Sequence, residues 1–173
     1  TQLPDSLIVL ILDANGNPVP GVDVAWAVGG GGLVSAPTVT TGVDGRAGVL
    51  RTLGSAAGSQ TTTASATGVP GSPIQFEATA TVGAPGRIFL ITPPSSTAQN
   101  GIPFAQQPRV QLRDANNNVS PTAGVAVTAS IASGPGGALV GSSTAATDAS
   151  GIATFSGLGI SGPGGSYTIR FGG

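Results

Sequence analysis

Six residues have the type and spacing to hold a cation: Asp13, Asn15 and Asn17, and again Asp114, Asn116 and Asn118. Hard oxygen ligands at every second residue are how a calcium loop begins. Such loops also need further acidic ligands, commonly a bidentate Glu downstream. Neither motif has one, because the only Glu of the chain is Glu77. The residues of "DANGN" and "DANNN" have a plainer use. Asp and Asn side chains bond their own backbone and tolerate positive φ, which suits the turn after a strand. A structural turn is the expected role, calcium is the alternative, and no cofactor is called for.

The rest of the chain offers little that moves protons or attacks carbonyls. It has no His, Cys or Met, all six basic residues are Arg, and the acids are six Asp and one Glu. General acid–base and nucleophilic catalysis draw on His, Cys, Lys or paired carboxylates, so the expectation is that this is not an enzyme. Without Cys or His there is no disulfide framework and no Cys/His zinc site. The run Gly29 to Gly32 lacks the Lys and following helix of a phosphate cradle and reads as a flexible loop. Trp26, Phe76, Phe89, Phe155 and Phe171 fall on inward or edge-covering positions rather than on a sugar-stacking surface; Phe104 is not assigned. A net charge of −1 with singly scattered Arg argues against nucleic acid as a partner. The longest apolar run, Leu7 to Leu12, has six residues against the ~20 of a bilayer-spanning helix, so no membrane insertion is expected. Neither an initiator Met nor a leader is present, which reads as a mature chain or a piece of a longer one.

The elements that would position these residues are strands. Only 8% of residues are charged, against roughly 25% in ordinary domains, while Gly (29) and Pro (14) punctuate short runs of Val, Ile and Leu. Asp13–Asn17 matches Asp114–Asn118 at an offset of 101 residues. The strand that follows matches at 103: Gly21, Val22, Val24, Trp26 and Val28 against Gly124, Val125, Val127, Ala129 and Ile131. "VDGRAGVL" answers "TDASGIATF". Three anchors in one order make a tandem duplication, with domains 1–82 and 83–173 meeting in the turn formers of Val82–Gly86.

Strands are expected near 6–13, 22–28, 38–42, 46–53, 60–67 and 73–82, then 87–92, 106–113, 124–131, 138–147, 151–156 and 166–171. Short alternating strands without helical period predict an all-β protein of two tandem immunoglobulin-like β-sandwiches. Val22, Val24, Trp26 and Val28 form an inward stripe, and Phe155 is expected to restore the volume lost where Ala129 replaces Trp26.

"DANGNPVPGVDVAWAV", "TTGVDGRAGVLRTLG" and "SPIQFEATA" resemble the bacterial immunoglobulin-like domains of the invasin and intimin type, which recur in tandem in bacterial surface proteins. The second copy, with "RIFLITPPSSTAQNG", "VQLRDANNN" and "GIATFSGL", resembles a related repeat found beside such domains. The resemblance implies an extracellular or bacterial cell-surface setting and a role as stalk, spacer, fibre unit or adhesive tip. It also implies one further strand before Thr1 and another after Gly173, leaving each sandwich short of a terminal strand.

Aligned on the duplicated turn, Val9 and Ile11 match Val110 and Leu112 and face the core. The opposite face reads Ile8, Leu10 and Leu12 in the first copy but Arg109, Gln111 and Arg113 in the second, and Leu50 extends it. With a strand missing, the first becomes an apolar sheet edge, and "SYTIRF" becomes another with Tyr167, Ile169 and Phe171 along one face. Ile8, Leu10, Leu12, Leu50, Tyr167, Ile169 and Phe171 are therefore the expected self-assembly interface. The functional expectation is a structural module of an extracellular fibre, its partners being other copies (head to tail or lateral) or neighbouring repeats. The alternatives are a receptor-binding adhesin, with specificity in loops 29–37 or 133–143, and a spacer of a long repeat protein.

Overall fold

Alternating runs bounded by Gly, Pro, Asn and Asp form strands and tight turns here, and no helix forms. The computed structural model describes all residues, Thr1–Gly173, in two compact units, Thr1–Thr81 and Val82–Gly173.

The first unit contains β1 (Leu7–Leu10), β2 (Asp23–Gly29), β3 (Gly32–Val34), β4 (Thr38–Thr40), β5 (Arg46–Val49), β6 (Arg51–Leu53), β7 (Gly58–Ser65) and β8 (Ile74–Ala80). One antiparallel sheet has the order β4-β2-β7-β8; β1 pairs with β5, and β3 with β6. The side chains alternate as period two requires, so Val24 and Trp26 of β2 and Ala47 and Val49 of β5 meet in one core. Trp26 stacks on Phe76 of β8 with ring centroids 5.9 Å apart. Val28, expected inward, is exposed beyond the end of that core.

The second unit repeats the plan with β9 (Arg87–Thr92), β10 (Arg109–Arg113), β11 (Ala126–Ser133), β12 (Ala138–Val140), β13 (Thr144–Ala146), β14 (Ile152–Thr154), β15 (Gly159–Ser161) and β16 (Thr168–Gly172). Its sheets are β14-β10-β9 and β13-β11-β16, with β12 paired to β15. Phe155 is buried at the position of Val49 and packs 5.2 Å from Phe171, filling the space left by Ala129. Phe104 is buried as well, whereas Phe89, expected on a core or edge-covering position, faces water and lies 4.1 Å under the Arg113 guanidinium.

Two long predicted strands divide. The segment 46–53 breaks at Leu50, so that β5 serves one pairing and β6 another. The segment 138–147 splits at Gly141, whose φ of +75° turns the chain. The glycine run is not a flexible loop: Gly30, Gly31 and Gly32 all have positive φ, and Gly32 begins β3 opposite Leu53. A Cβ on Gly32 would stand 2.1 Å from the Thr52 carbonyl oxygen, so only glycine allows this approach. All six Arg lie within strands: Arg46, Arg51, Arg87, Arg109, Arg113 and Arg170.

Candidate functional site

The two Asp-Asn motifs fold into closed turns. Asp13 Oδ1 accepts hydrogen bonds from the backbone N–H groups of Asn15 (2.9 Å) and Asn17 (2.8 Å), and Oδ2 accepts one from Asn17 Nδ2 (3.0 Å). Asp114 receives the same set from Asn116 and Asn118, each at 2.9 Å, and a further bond from the Gly83 N–H at 3.0 Å. The fourth residue of each turn takes positive φ, Gly16 at +87° and Asn117 at +71°, where Gly and Asn are the residues that accept it. Donors aimed at a carboxylate favour its charged form. The Asn118 amide and the Gly83 N–H hold the Asp114 carboxyl down at about 2, and the Asn17 side chain lowers that of Asp13. Each carboxylate is thus turned onto the backbone it organises.

Sequence reasoning missed the largest fully buried side chain, Arg51. Its side chain is fully buried, with Nε donating to Thr62 Oγ1 (2.9 Å) and Nη2 to the Gly31 carbonyl (2.6 Å) and Gln60 Oε1 (3.4 Å). Nη1 donates to the carbonyls of Leu33 and Thr52. Burial lowers the guanidinium's pKa, and neutral acceptors alone solvate it. The glycine run supplies one of these acceptors, the Gly31 carbonyl. A lone Arg in an alternating strand carries no sequence signal of this.

The surface that stands out is the β1–β5 pair. Leu7 and Val9 face inward with Ile11, while Ile8, Leu10, Leu12 and Leu50 face water at 49, 48, 46 and 39% exposure. The Ile11 N–H bonds the Gly45 carbonyl (2.9 Å), and the two-residue period gives Leu7 and Val9 to β5 likewise. The main-chain groups of Ile8 and Leu10 therefore point at the other edge of β1, where no strand of the chain pairs. In β10 the corresponding edge is occupied: Gln111 lies opposite Phe89, and Arg113 accepts a bond from the Gly86 N–H (2.8 Å). Beneath the open edge of β1 is a groove of about 140 Å³ whose lining includes Val9, Ile11, Ala64, Val69 and Ile74.

The residues of β16 are arranged differently from those of β1. Ile169 and Phe171 turn toward their own core rather than outward, and the Tyr167 hydroxyl donates to the Gly136 (2.6 Å) and Pro163 (2.8 Å) carbonyls. They line a groove of about 500 Å³, which Leu90 and Phe104 also border. What β16 leaves open is its edge, since it pairs with β11 alone. In the first unit the equivalent edge of β7 is taken by β8 over seven residue pairs.

Comparison with known families agrees with this architecture. Residues 4–79 match the family described as "Bacterial Ig-like domain (group 1)", and residues 83–173 match that described as "SMCHD1 Ig-like domain 6". The chain belongs to the immunoglobulin-like domain proteins. Two solved structures are similar to these tandem immunoglobulin-like domains. The D0-D1 domain of intimin aligns over 97% of this chain and 82% of its own at 19% identity and a TM-score of 0.38. Invasin, titled a bacterial integrin-binding protein, aligns over 96% of this chain at 18% identity and a TM-score of 0.39; the match spans 32% of the invasin chain. No curated protein matches the sequence. Within residues 1–173, β9 pairs with β10, the duplicate of β1, and β8 pairs with β7, the duplicate of β16.

Proposed function

We propose that this chain is a non-enzymatic structural module of a bacterial extracellular or cell-surface assembly, in which copies pack through the apolar face and open edge of the first domain. The observation that carries this reading is the contrast at one duplicated position. Ile8, Leu10 and Leu12 stand half-exposed where the second domain has Arg109, Gln111 and Arg113. Covering those three side chains contributes on the order of 3 kcal/mol before the costs of association, enough to bias assembly when a strand edge pairs as well.

The loops that a receptor-binding role would use are tied down, Gly31 by Arg51 and Gly136 by Tyr167, and this favours a structural part over an adaptable binding tip. The deciding measurement is light scattering with negative-stain imaging of the wild-type chain and of Leu10→Arg. The expected result is concentration-dependent assembly of the wild type, weakened in the variant while both melt cooperatively. A wild-type chain that stays monomeric at high concentration overturns the proposal.

A further inference from the structure

The fold gathers arginines that the sequence scatters. Side chains two apart share a face of a strand, so Arg109, Gln111 and Arg113 of β10 stand together on the outer face of the β14-β10-β9 sheet, with Val110 and Leu112 buried beneath. Across the ladder Arg113 faces Arg87, and Gln111 faces Phe89. Arg87 is thus directly beside Arg113, while Arg109 lies about 13 Å along the strand. The two acids of this unit do not neutralise them. Asp114 and Asp148 turn their carboxylates onto the N–H groups of their own turns, and the single ion pair of the chain joins Arg46 to Asp44. Like charges directly opposite on a ladder destabilise it. The sandwich does not require them, since the duplicate segment carries Ile8, Leu10 and Leu12 at the positions of Arg109, Gln111 and Arg113.

We infer that this face binds an anionic polysaccharide, a linear chain of carboxylated sugars lying along β10. Arg113 is held ready for it, with its guanidinium 4.1 Å over the Phe89 ring, Nη1 donating to Asn117 Oδ1 (3.1 Å) and Nη2 to Gln111 Oε1 (3.4 Å). A guanidinium fixed in its plane loses less freedom when its remaining N–H groups meet a carboxylate. Arg87 and Arg109 are exposed and make no side-chain bond within the chain. A carboxylate between Arg87 and Arg113 replaces their repulsion with two charge-assisted contacts, and later acids of the same polymer reach Arg109. The half-exposed Phe89 ring, level with Gln111, offers a flat apolar contact to the C–H face of a sugar. Other polyanions fit less well. Single-stranded nucleic acid is held by stacking successive bases on aromatic side chains, and this face has Phe89 alone. Anionic lipid surfaces are held by clusters of about 4–8 cations, more than this face carries. The face belongs to the second domain and shares no residue with the apolar face through which assembly is proposed.

The test measures binding of the full-length chain to immobilised polygalacturonate, with uncharged dextran, polyglutamate, a single-stranded oligonucleotide and phosphatidylserine vesicles as comparison surfaces. The expected result is binding to polygalacturonate in dilute buffer that is lost near 1 M salt, where charges act over only about 3 Å, and no binding to dextran. Arg87→Gln and Arg109→Gln each weaken binding about two- to five-fold, the span of an exposed ion pair, and the double variant shows the product. Arg170→Gln removes the same charge from the other sheet and leaves binding unchanged. All variants melt with the wild type, because none of these three side chains is bonded in the folded chain. A chain that ignores polygalacturonate overturns the proposal, and so does an equal loss from Arg170→Gln, which reduces the effect to net charge. Tighter binding to polyglutamate, the oligonucleotide or the vesicles overturns the saccharide assignment and gives the face to that class instead.

Discussion

Gln111 faces Phe89 across an antiparallel ladder, whereas Leu10, its duplicate, has Arg46 on one side and no strand on the other. Hydrogen exchange reads this difference directly, since amides pointing at an open edge exchange without unfolding. In dilute solution Leu10 N–H is expected to exchange far faster than Gln111 N–H, and faster than Val9 N–H beside it. Under assembling conditions Leu10 becomes protected. Equal protection of Leu10 and Gln111 in the monomer would show that something within the chain already covers β1.

Arg51 predicts a large loss from a single substitution. Replacing it with Met removes the donors that serve the carbonyls of Gly31, Leu33 and Thr52 and leaves the buried Thr62 hydroxyl and Gln60 amide oxygen without their guanidinium partner. The first unit should lose about 2–4 kcal/mol in urea denaturation. Arg51→Lys recovers only part of this, because one ammonium lacks the planar fork. A loss below about 0.5 kcal/mol, the range of an ordinary surface change, would contradict the cage.

The Asp114 turn makes the second unit sensitive to acid. Its carboxyl is lowered in the folded chain to about 2 by the Asn118 amide and the Gly83 N–H. A lowered folded value means that the unfolded state binds protons first. The stabilisation is therefore complete above the unfolded value of about 4 and is lost as the pH falls toward about 2. Thermal melts from pH 5 to pH 2 should show this decline in the wild type, and a flatter profile in Asp114→Asn.

Millimolar calcium is expected to leave the melting temperature unchanged within about a degree, because a ligand that binds the folded state stabilises it by mass action. The Asp13 and Asp114 carboxylates already serve the backbone. A rise of several degrees, absent in Asp13→Ala, would assign Asp13, Asn15 and Asn17 to a metal instead.

The alternation of Val24, Trp26, Ala47 and Val49 was legible because a two-residue period is the geometry of a strand. So was the duplication, because turn chemistry confines Asp13 and Asp114 to the same residue types. The direction of Ile8, Leu10 and Leu12 followed from aligning them with polar counterparts. The role of Gly29–Gly32 was not legible, since it depends on a guanidinium from a distant strand. Nor was the division at Leu50: strand propensity favours continuing 46–53, and only the pairing of β5 with β1 and of β6 with β3 breaks it. Phe89 was misread as core or edge cover because its contact is an Arg face rather than an apolar pocket.

The confinement of every basic residue to a strand has a consequence for how proteases meet the chain. Proteases need a segment of chain that can be drawn into an extended, unpaired form, and exposed loops supply it. An enzyme that cleaves after Arg or Lys finds no such residue in any loop of this chain, nor in the stretch between the two units; its first possible target there, Arg87, begins β9. Five of the six stand at the first or last residue of a strand and only Arg170 in an interior, so trypsin-like digestion depends on how often these strand ends open. The lifetime of the intact chain in the presence of such an enzyme becomes a measure of how often its sheets open.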